Sequence, residues 1–363
     1  MSKKIIAIMA SGTGGHVYPA FTIANEFIKK GFHILWVGTE NGIENRVINN
    51  KAITIEKIDS VGIRGKSYFG KLLGFLIFFK SLYKSYLLYK KYKPILSFGF
   101  GGYISVASSI VSFFLRIPVV LHEQNSIAGT SNKINYYFAK YVFETFPLSF
   151  GKSSNKIKHV GNPVRDNFYN IESPEKKYLS DKSYLNILIM GGSQGSKFFN
   201  ESLPFSFSYF DNQNISIKHI SGLNNKSIVE NKYSKYNLKP EVYEYSDNID
   251  KLLEWSSLVV CRAGSTSISE LATIGRATIL IPFPYATDQH QLHNALFLAN
   301  NSATILIQQN DLFVENFVNT LNIIFNDQKR LYTLSKNIQD VFPKDTIPKI
   351  MNMSMDIINN GNE

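Results

Sequence analysis

Two glycine-rich loops, each placed between an apolar run and a helix-compatible stretch, constrain the fold of this chain most strongly. The first loop is SGTGGH at residues 11–16, after the apolar run 4–9, and the second is GGSQGS at 191–196, after the run 185–190. Glycines let a backbone approach a phosphate closely, and the exposed N–H groups of a helix N-terminus bind anions. Two such loops half a chain apart predict two α/β domains that face each other across a cleft.

Short apolar runs alternate with helix-compatible stretches along the chain, and this alternation predicts parallel sheets. We expect strands at 4–9, 33–37, 95–98, 117–121, 185–190, 217–220, 257–261 and 278–281. Between them we expect helices that include 18–30, 67–91, 266–274 and 288–300.

A polar link near 161–183 predicts the domain boundary. We expect an N-terminal domain at 1–163, a C-terminal domain at 164–340 and a last helix at 341–363. In two-domain proteins with a cleft, such a tail often crosses back to the first domain.

Positive charge is concentrated in the N-terminal half. The 363 residues carry a net charge of +11, and no Asp or Glu occurs from Ser60 to His122. That stretch contains nine cations, namely Arg64, Lys66, Lys71, Lys80, Lys84, Lys90, Lys91, Lys93 and Arg116. Such a distribution predicts an anionic partner. A nucleic-acid partner would explain the charge but not the two anion-binding loops. We therefore predict no nucleic-acid partner.

The stretch 67–91 combines aromatic and aliphatic side chains with lysines. Its longest uncharged run, 72–79, is too short to span a bilayer, which takes about 20 residues. Aromatic bulk with a lysine face is typical of a helix in the membrane interface. We therefore predict that 64–93 contacts an anionic membrane surface. The alternative is an ordinary helix that packs on a sheet with solvated lysines.

The remaining bulk features predict a soluble cytoplasmic protein. Cys261 is the only cysteine, so no disulfide can form within the chain, which fits a reducing compartment. No signal peptide is recognisable before the first strand. The mean hydropathy of −0.09 fits a globular chain with a large core.

Two polar sites in the N-terminal half are candidates for proton transfer. His16 follows the first glycine loop, at a helix start that disfavours the protonated imidazole, so a neutral His16 can accept a proton. It could also hold a substrate hydroxyl or phosphate, and the structural alternative is a histidine without a role in the site. The sequence HEQN at 122–125 follows the apolar run 117–121, and the carboxyl ends of parallel strands line ligand crevices. Glu123 is a base, a group that orients a base, or a member of a structural ion pair.

The richest polar segment of the C-terminal half is CRAGSTSISE at 261–270. Its serines and threonine supply hydroxyls and N–H groups at a helix start. Glu270 lies about one turn into that helix, where a carboxylate can accept both hydroxyls of a ribose. The structural alternative is a set of helix caps with an acid favoured by the helix dipole. Gln291 and Asn294 carry amides that suit a sugar.

No metal site is predicted. The chain contains no Asp-x-Asp sequence that could bridge a metal to a diphosphate. His290 and His293 are three residues apart on an expected helix, but no acid or cysteine completes a ligand set beside them.

Taken in order, these motifs resemble a family of bacterial glycosyltransferases, the UDP-N-acetylglucosamine:N-acetylmuramyl-(pentapeptide) pyrophosphoryl-undecaprenol N-acetylglucosamine transferases. The resemblance runs from about Gly12 to Asn294 and includes GTGGHVYP at 12–19, GNPVR at 161–165 and QLHNA at 291–295. It implies a GT-B fold and inverting transfer of N-acetylglucosamine to the C4 hydroxyl of lipid I, giving lipid II for peptidoglycan synthesis. It also implies no cofactor or metal, and a peripheral location on the cytoplasmic face of the bacterial inner membrane.

The resemblance implies a role for each matching residue. The lipid pyrophosphate meets Thr13, Gly14, Gly15 and His16, and the catalytic base is His16 or Glu123. Arg165 binds the nucleotide, Ser193 the diphosphate, and backbone near Ser246 the uracil. Asn125 and Gln291 hold the sugar, and Glu270 takes the ribose. The donor site is completed by Arg262, Ser265, Thr266, Ser267, Ile268 and Ser269.

Three rival functions fit parts of the pattern. A related GT-B transferase could act on diacylglycerol. A nicotinamide oxidoreductase fits one glycine loop, but the full spaced Rossmann fingerprint is missing and the second loop is unexplained. A membrane-bound UDP-sugar sensor or scaffold would keep the fold without turnover.

Overall fold

The chain forms two compact units. The computed structural model describes residues 4–59, 68–179, 185–192, 194–210 and 213–360. Unit 1 comprises Met1–Arg165 with Pro343–Glu363, and unit 2 comprises Asp166–Phe342. Each unit contains one parallel sheet with helices packed on it.

The first 165 residues alternate between strands and helices. In chain order they form β1 (Ile5–Met9), α1 (Gly14–Lys29), β2 (His33–Gly38), α2 (Glu44–Val47), β3 (Ile53–Lys57), α3 (Tyr68–Tyr92), β4 (Leu96–Gly99), α4 (Tyr103–Phe114), β5 (Val119–Glu123), α5 (Thr130–Asn135), β6 (Tyr141–Glu144) and β7 (Ile157–His159). The described strands pair in the order β3-β2-β1-β4-β5-β6-β7.

Unit 2 repeats this alternation, and the chain then returns to unit 1. Unit 2 contains α6 (Pro174–Leu179), β8 (Leu185–Met190), α7 (Lys197–Phe207), β9 (Ile215–Ile220), α8 (Lys226–Ser234), β10 (Glu241–Tyr243), α9 (Ile249–Trp255), β11 (Leu258–Cys261), α10 (Ser265–Ile274), β12 (Ala277–Leu280), α11 (His290–Asn300), β13 (Ile305–Leu306), α12 (Phe313–Asn326) and α13 (Lys329–Asp340). Its strand order is β10-β9-β8-β11-β12-β13. The last helix, α14 (Thr346–Asn360), belongs to unit 1.

Continuous apolar runs form the central strands because helices cover both faces of each sheet. In β1 and β8 nearly every side chain is buried. The core of unit 1 also includes the apolar face of α14, through Ile350, Met351, Ile357 and Ile358. Because this face lies in the core, the C-terminal helix is an integral part of unit 1.

The predicted fold of two Rossmann-like domains with parallel sheets is confirmed, and all eight predicted strands are present. The sequence did not predict five short strands, β3, β6, β7, β10 and β13. Four of these are edge strands of the two sheets as described. Edge strands are partly exposed, so they lack the continuous apolar run by which the central strands were recognised.

Each sheet reverses its strand order at one point. In unit 1 the chain adds strands to one side of β1 and then continues on the other side with β4. In unit 2 the corresponding reversal lies between β8 and β11. Ligands of open α/β sheets bind outside the carboxyl ends of the strands at such switch points. Both glycine-rich loops begin there, one after β1 and the other after β8.

Two histidines are buried inside the strands. His122 is fully buried in β5, and desolvation lowers its pKa to about 4. His219 is fully buried in β9 beside the Tyr233 hydroxyl, and desolvation lowers its pKa to about 3. Both imidazoles are therefore neutral in the folded chain at pH 5, whereas an unfolded histidine is protonated there.

We expect acidification to destabilise both units. A folded pKa below the unfolded value gives stability that is complete above about pH 6.5 and is lost as the pH falls. Between pH 7 and pH 5 each buried histidine should lower the unfolding free energy of its unit by about 2 kcal/mol. Urea titrations at both pH values should show that His219→Phe removes this decline from unit 2. Substitution of the exposed His293 by Phe should leave the decline in unfolding free energy intact. An unchanged decline in the His219 variant would show that His219 does not cause it.

Candidate functional site

Two helix N-termini converge at the switch point of unit 1. Because β1 and β4 are neighbouring strands, the loop after β1 lies beside the loop after β4. Thr13 is the N-cap of α1, but its side chain makes no capping hydrogen bond. Gly102 is the N-cap of α4 and has no side chain that could cap it. The first turn of each helix contains no acidic residue. Backbone N–H groups and the positive ends of two helix dipoles therefore meet here, which favours an anion.

His16 lies in the first turn of α1, against the loop after β4. The side chain is half-buried. A Cβ at Gly101 would lie only 3.0 Å from His16 Nε2, and Gly101 has a φ of +106°. Glycine is therefore required at 101 both for the backbone conformation and for the approach of the imidazole. Gly14 and Gly15 lie in the same turn and are half-buried.

The Glu123 carboxylate closes the loop that follows β5. It is only 2% exposed. Oε1 accepts the backbone N–H of Asn125 at 2.9 Å, and Oε2 accepts the backbone N–H of Gly129 at 3.0 Å and Nδ2 of Asn132 at 2.9 Å. These bonds occupy both oxygens and fix the path of the chain from Asn125, which is half-buried, to the start of α5.

His122 joins this loop to the segment that follows β7. Its Nε2 lies 2.9 Å from the Gly161 carbonyl oxygen, and its Nδ1 lies 3.2 Å from Gln124 Nε2. A neutral imidazole that donates from Nε2 and accepts at Nδ1 satisfies both contacts. Buried and neutral, His122 is a structural residue and not a surface base.

Arg165 is the last residue of the first segment of unit 1, and its side chain stacks on α1. Its guanidinium carbon is 4.8 Å from the centre of the Tyr18 ring. Tyr18 follows His16 by two residues, so Arg165 places a positive charge near the first glycine loop. A nucleotide-binding role for Arg165 stays a prediction.

Close backbone packing shapes the second glycine loop. A Cβ at Gly195 would lie 2.3 Å from the Ser221 carbonyl oxygen, and one at Gly222 would lie 2.4 Å from that of Gln194. Only glycines allow the loops after β8 and β9 to touch in this way. Ser193, the predicted diphosphate ligand, lies outside the described residues.

Arg262 connects the second glycine loop to two other segments, one after β12 and one after β13. It is 8% exposed. Nη2 donates to Oγ of Ser196 at 3.0 Å and to Oε1 of Gln309 at 2.8 Å. Nη1 donates to the carbonyl oxygens of Ile281 and Pro282 at 3.1 Å. The Arg262 side chain is therefore largely hidden from a ligand, and it acts on the site through its neighbours.

The predicted donor-binding run at the start of α10 is only partly accessible. Ile268 is fully buried, and the Ser269 hydroxyl donates to the Ser265 carbonyl oxygen at 2.8 Å. Ser265 and Glu270 are 5% and 6% exposed, whereas Thr266 and Ser267 are half-buried. The N-cap Gly264 supplies no side-chain cap, and the first turn of α10 has no acid. The backbone N–H groups of this turn, more than its side chains, are suited to hold an anion.

Side-chain amides join α11 to the same edge of the sheet. Gln291 Oε1 accepts the Phe283 N–H at 2.9 Å, and Asn294 Nδ2 donates to the Ala263 carbonyl oxygen at 3.1 Å. Before α11, Asp288 and Gln289 both have a φ of +52°. Two successive residues with side chains in the left-handed region are strained, which is frequent at binding sites.

Ser246 lies on the loop after β10. Its hydroxyl accepts the Asn248 N–H at 3.2 Å and stabilises a turn. Its proposed proximity to a uracil stays a prediction. Among the residues that the structure describes, no three His, Cys, Asp or Glu side chains are grouped as metal ligands.

Comparison with known proteins identifies the family. Residues 6–144 match the glycosyltransferase family 28 N-terminal domain, and residues 186–350 match the C-terminal domain of the same family. Together these matches cover most of the chain. The chain belongs to glycosyltransferase family 28.

Individual relatives narrow this assignment. A Psychromonas ingrahamii protein named UDP-N-acetylglucosamine–N-acetylmuramyl-(pentapeptide) pyrophosphoryl-undecaprenol N-acetylglucosamine transferase is 36% identical over 92% of this chain and 93% of its own length. A Pseudomonas syringae protein with the same name is 33% identical over 97% of this chain and 98% of its own. The crystal structure of MurG from Acinetobacter baumannii superposes with a TM-score of 0.82, at 29% identity, over 96% of this chain and 99% of that one. The predicted lipid II-forming transferase family, and with it a glycosyltransferase enzyme, is confirmed.

Sequence reasoning did not identify Gln309. This residue follows β13, is 47 positions from Arg262 and belongs to no recognisable motif. Only the pairing of β13 with β12 brings the two residues together. By contrast, Asn132 lies only nine positions from Glu123, but its bond to Glu123 required the structure.

Gly101→Ala should displace His16 and lower turnover. The new methyl group would contact the imidazole at about 3 Å and would strain a backbone that glycine tolerates, costing about 1 kcal/mol or more. Gly31→Ala is the matched control, because Gly31 has a φ of +87° and a Cβ added there would meet no other atoms within 4 Å. We expect similar stability losses in urea titrations but at least a tenfold lower kcat for the Gly101 variant alone. Equal kcat in the two variants would show that the contact with His16 has no role in turnover.

Proposed function

We propose that this chain transfers N-acetylglucosamine from UDP-N-acetylglucosamine to the C4 hydroxyl of undecaprenyl-pyrophosphoryl-N-acetylmuramoyl-pentapeptide (lipid I), with inversion at the anomeric carbon. Unit 1 binds the acceptor and unit 2 binds the donor. One observation carries the proposal: each unit places a helix N-terminus without a side-chain cap at the switch point of its sheet. Both substrates contain a pyrophosphate, and the names of the relatives supply the substrates themselves.

In unit 1 the acceptor pyrophosphate binds the first turns of α1 and α4. Thr13, Gly14 and Gly15 supply backbone N–H groups there. In unit 2 the donor diphosphate binds at the start of α10 and at the second glycine loop, with Ser193 as a further ligand. Glu270 accepts the ribose hydroxyls, and Gln291 and Asn125 hold sugar groups. Developing charge on the leaving diphosphate is stabilised by these helix dipoles.

His16 is the general base in this proposal, and Glu123 organises the loop that carries Asn125. The contacts of Glu123 support this division, because its buried oxygens already accept three strong hydrogen bonds from that loop. A carboxylate held in this way has little capacity left for a substrate proton. His16 lies instead at the anion-binding edge, half-buried and at a helix start that favours the neutral imidazole.

Membrane contact through α3 is the last part of the proposal. Exposed apolar side chains on this helix include Leu73, Phe75, Leu76, Phe79 and Tyr83, each more than half exposed. Patches of this kind mark interaction surfaces. No helix among the described residues has the length and apolar character to cross a membrane. Peripheral attachment to the cytoplasmic face of the inner membrane would bring the enzyme to its lipid-linked acceptor. Residues 64–67 of the predicted segment lie outside the described residues.

Ion pairs modify the charge argument for this surface. Lys80 and Lys84 both contact Asp59, at 2.9 and 3.0 Å, and these contacts lower the Asp59 pKa. Lys91 also contacts Glu56, at 3.4 Å. Three of the nine cations are therefore partly neutralised within the chain. In this proposal the exposed apolar side chains of α3 therefore carry a larger share of membrane binding than the number of cations alone would indicate.

Sugar transfer from labelled UDP-N-acetylglucosamine to a lipid I analogue tests the reaction. With EDTA present and diacylglycerol as a parallel acceptor, we expect product from lipid I alone. His16→Ala should lower kcat at least a hundredfold and abolish the acidic limb of the pH–rate profile, because the base is gone. Glu123→Gln should lower the rate by loosening the loop but should keep that limb.

Other outcomes would change the proposal in defined ways. Loss of the limb in Glu123→Gln, with retention in His16→Ala, would make Glu123 the base. Product from diacylglycerol would replace the acceptor. Tight UDP binding without product from either acceptor would favour a scaffold.

Removing apolar bulk from α3 should weaken membrane binding. Leu76→Ser with Phe79→Ser should lower partitioning onto phosphatidylglycerol vesicles about thirtyfold, since about 2 kcal/mol of apolar burial would be lost. The matched control is Phe205→Ser with Tyr209→Ser in unit 2, where the side chains are 41% and 58% exposed. Equal partitioning of both double variants in co-sedimentation would exclude α3 as the contact surface.

A further inference from the structure

Arg262 is a buried cation to which the described part of the chain supplies no counter-charge. Its four hydrogen bonds all go to neutral oxygens, namely two backbone carbonyls, the Ser196 hydroxyl and the Gln309 amide. Among the residues that the structure describes, no carboxylate pairs with it. The rings of Phe199 and Phe283 lie 4.5 and 5.5 Å from the guanidinium carbon and help to exclude water. Burying an unpaired charge costs free energy, and here burial lowers the Arg262 pKa to about 10.

The position of this charge suggests what offsets that cost. Ser196 is the N-cap of α7 and accepts the Phe199 N–H, so the guanidinium lies directly behind the helix start. Arg262 also lies three residues before the uncapped start of α10. One full positive charge and two helix dipoles therefore act on the same edge of the sheet. An anion that binds there gains from a field that the folded chain has left uncompensated.

We propose that Gln309 is a positioning residue for the donor diphosphate, because its amide holds the Arg262 guanidinium at the α7 N-terminus without neutralising it. A neutral acceptor is essential to this role. A carboxylate at the same place would orient the guanidinium equally well, but it would cancel the charge that attracts the ligand. This inference rests on the proposed function, in which unit 2 binds the diphosphate of a nucleotide sugar.

Gln309→Glu separates the charge from the hydrogen bond. The substitution keeps an acceptor oxygen within reach of Arg262 and adds one negative charge. We expect UDP to bind at least tenfold more weakly in calorimetry, whereas uridine, which has no phosphate, should bind with unchanged affinity. The thermal midpoint without ligand should stay the same or rise, because a buried ion pair would form. A residue with a purely structural role would not change the ratio of UDP to uridine affinity.

The neighbouring glutamine provides a matched control. Gln308 is exposed, so Gln308→Glu adds the same charge one residue away in water. Solvent screens that charge, and the ratio of UDP to uridine affinity should stay within about twofold of the parent value. Gln309→Leu removes the acceptor without adding a charge and should weaken UDP binding less than Gln309→Glu does.

Each result decides the proposal. An unchanged ratio in Gln309→Glu, an equal loss of UDP and uridine, or an equal loss in the Gln308 variant would overturn it. Should Gln309→Glu not fold, Arg262→Gln removes the charge and keeps an amide donor for Ser196, and it must show the same selective loss of UDP. The parent chain tests the proposed function separately, since failure of the parent to bind UDP would refute donor binding itself.

Discussion

Parallel strand order is the constraint on which the rest of this structure depends. All strands of a parallel sheet end at one edge, and only where the strand order reverses do neighbouring loops separate to leave a crevice. In this chain the reversals lie between β1 and β4 and between β8 and β11. Each reversal places a glycine loop beside a second helix start. The two halves therefore reach the same local arrangement, a proposed anion site at a switch point, from different sequences.

The two anion sites obtain their positive potential differently. In unit 1 the starts of α1 and α4 both lack side-chain caps, and backbone groups dominate the site. In unit 2 Ser196 caps α7, and the buried guanidinium of Arg262 supplies a full charge behind that cap. A full charge in a poorly solvated position acts more strongly than a helix dipole. This difference matches the proposed chemistry, because charge develops on the donor diphosphate during transfer and not on the acceptor pyrophosphate.

Much of this architecture could be predicted from the sequence, because the central strands and glycine loops are local signals. The edge strands β3 and β13 could not, since their pattern is set by a partner strand on one side and solvent on the other. The roles of individual side chains were harder to predict than the strands. Glu123 ends a strand, as a catalytic acid often does, yet its oxygens bind the loop that follows, including the Gly129 N–H six residues ahead. The partner of Arg262 at position 309 depends on the pairing of β12 with β13, which no local motif encodes.

The segment after β7, at Val160 and Gly161, shows how contacts between distant residues join parts of unit 1. Gly161 has a φ of +87°, and its carbonyl oxygen contacts the buried His122 ring. The adjacent Val160 carbonyl oxygen accepts the Thr346 hydroxyl at the start of α14. The last helix and β5 therefore hold the same two-residue segment from two directions. His122 directly precedes Glu123, so these hydrogen bonds connect α14 to the start of the loop that carries Asn125. The C-terminal helix is therefore linked by hydrogen bonds to the strand that leads into the acceptor side of the proposed site, although it lies far from that strand in the sequence.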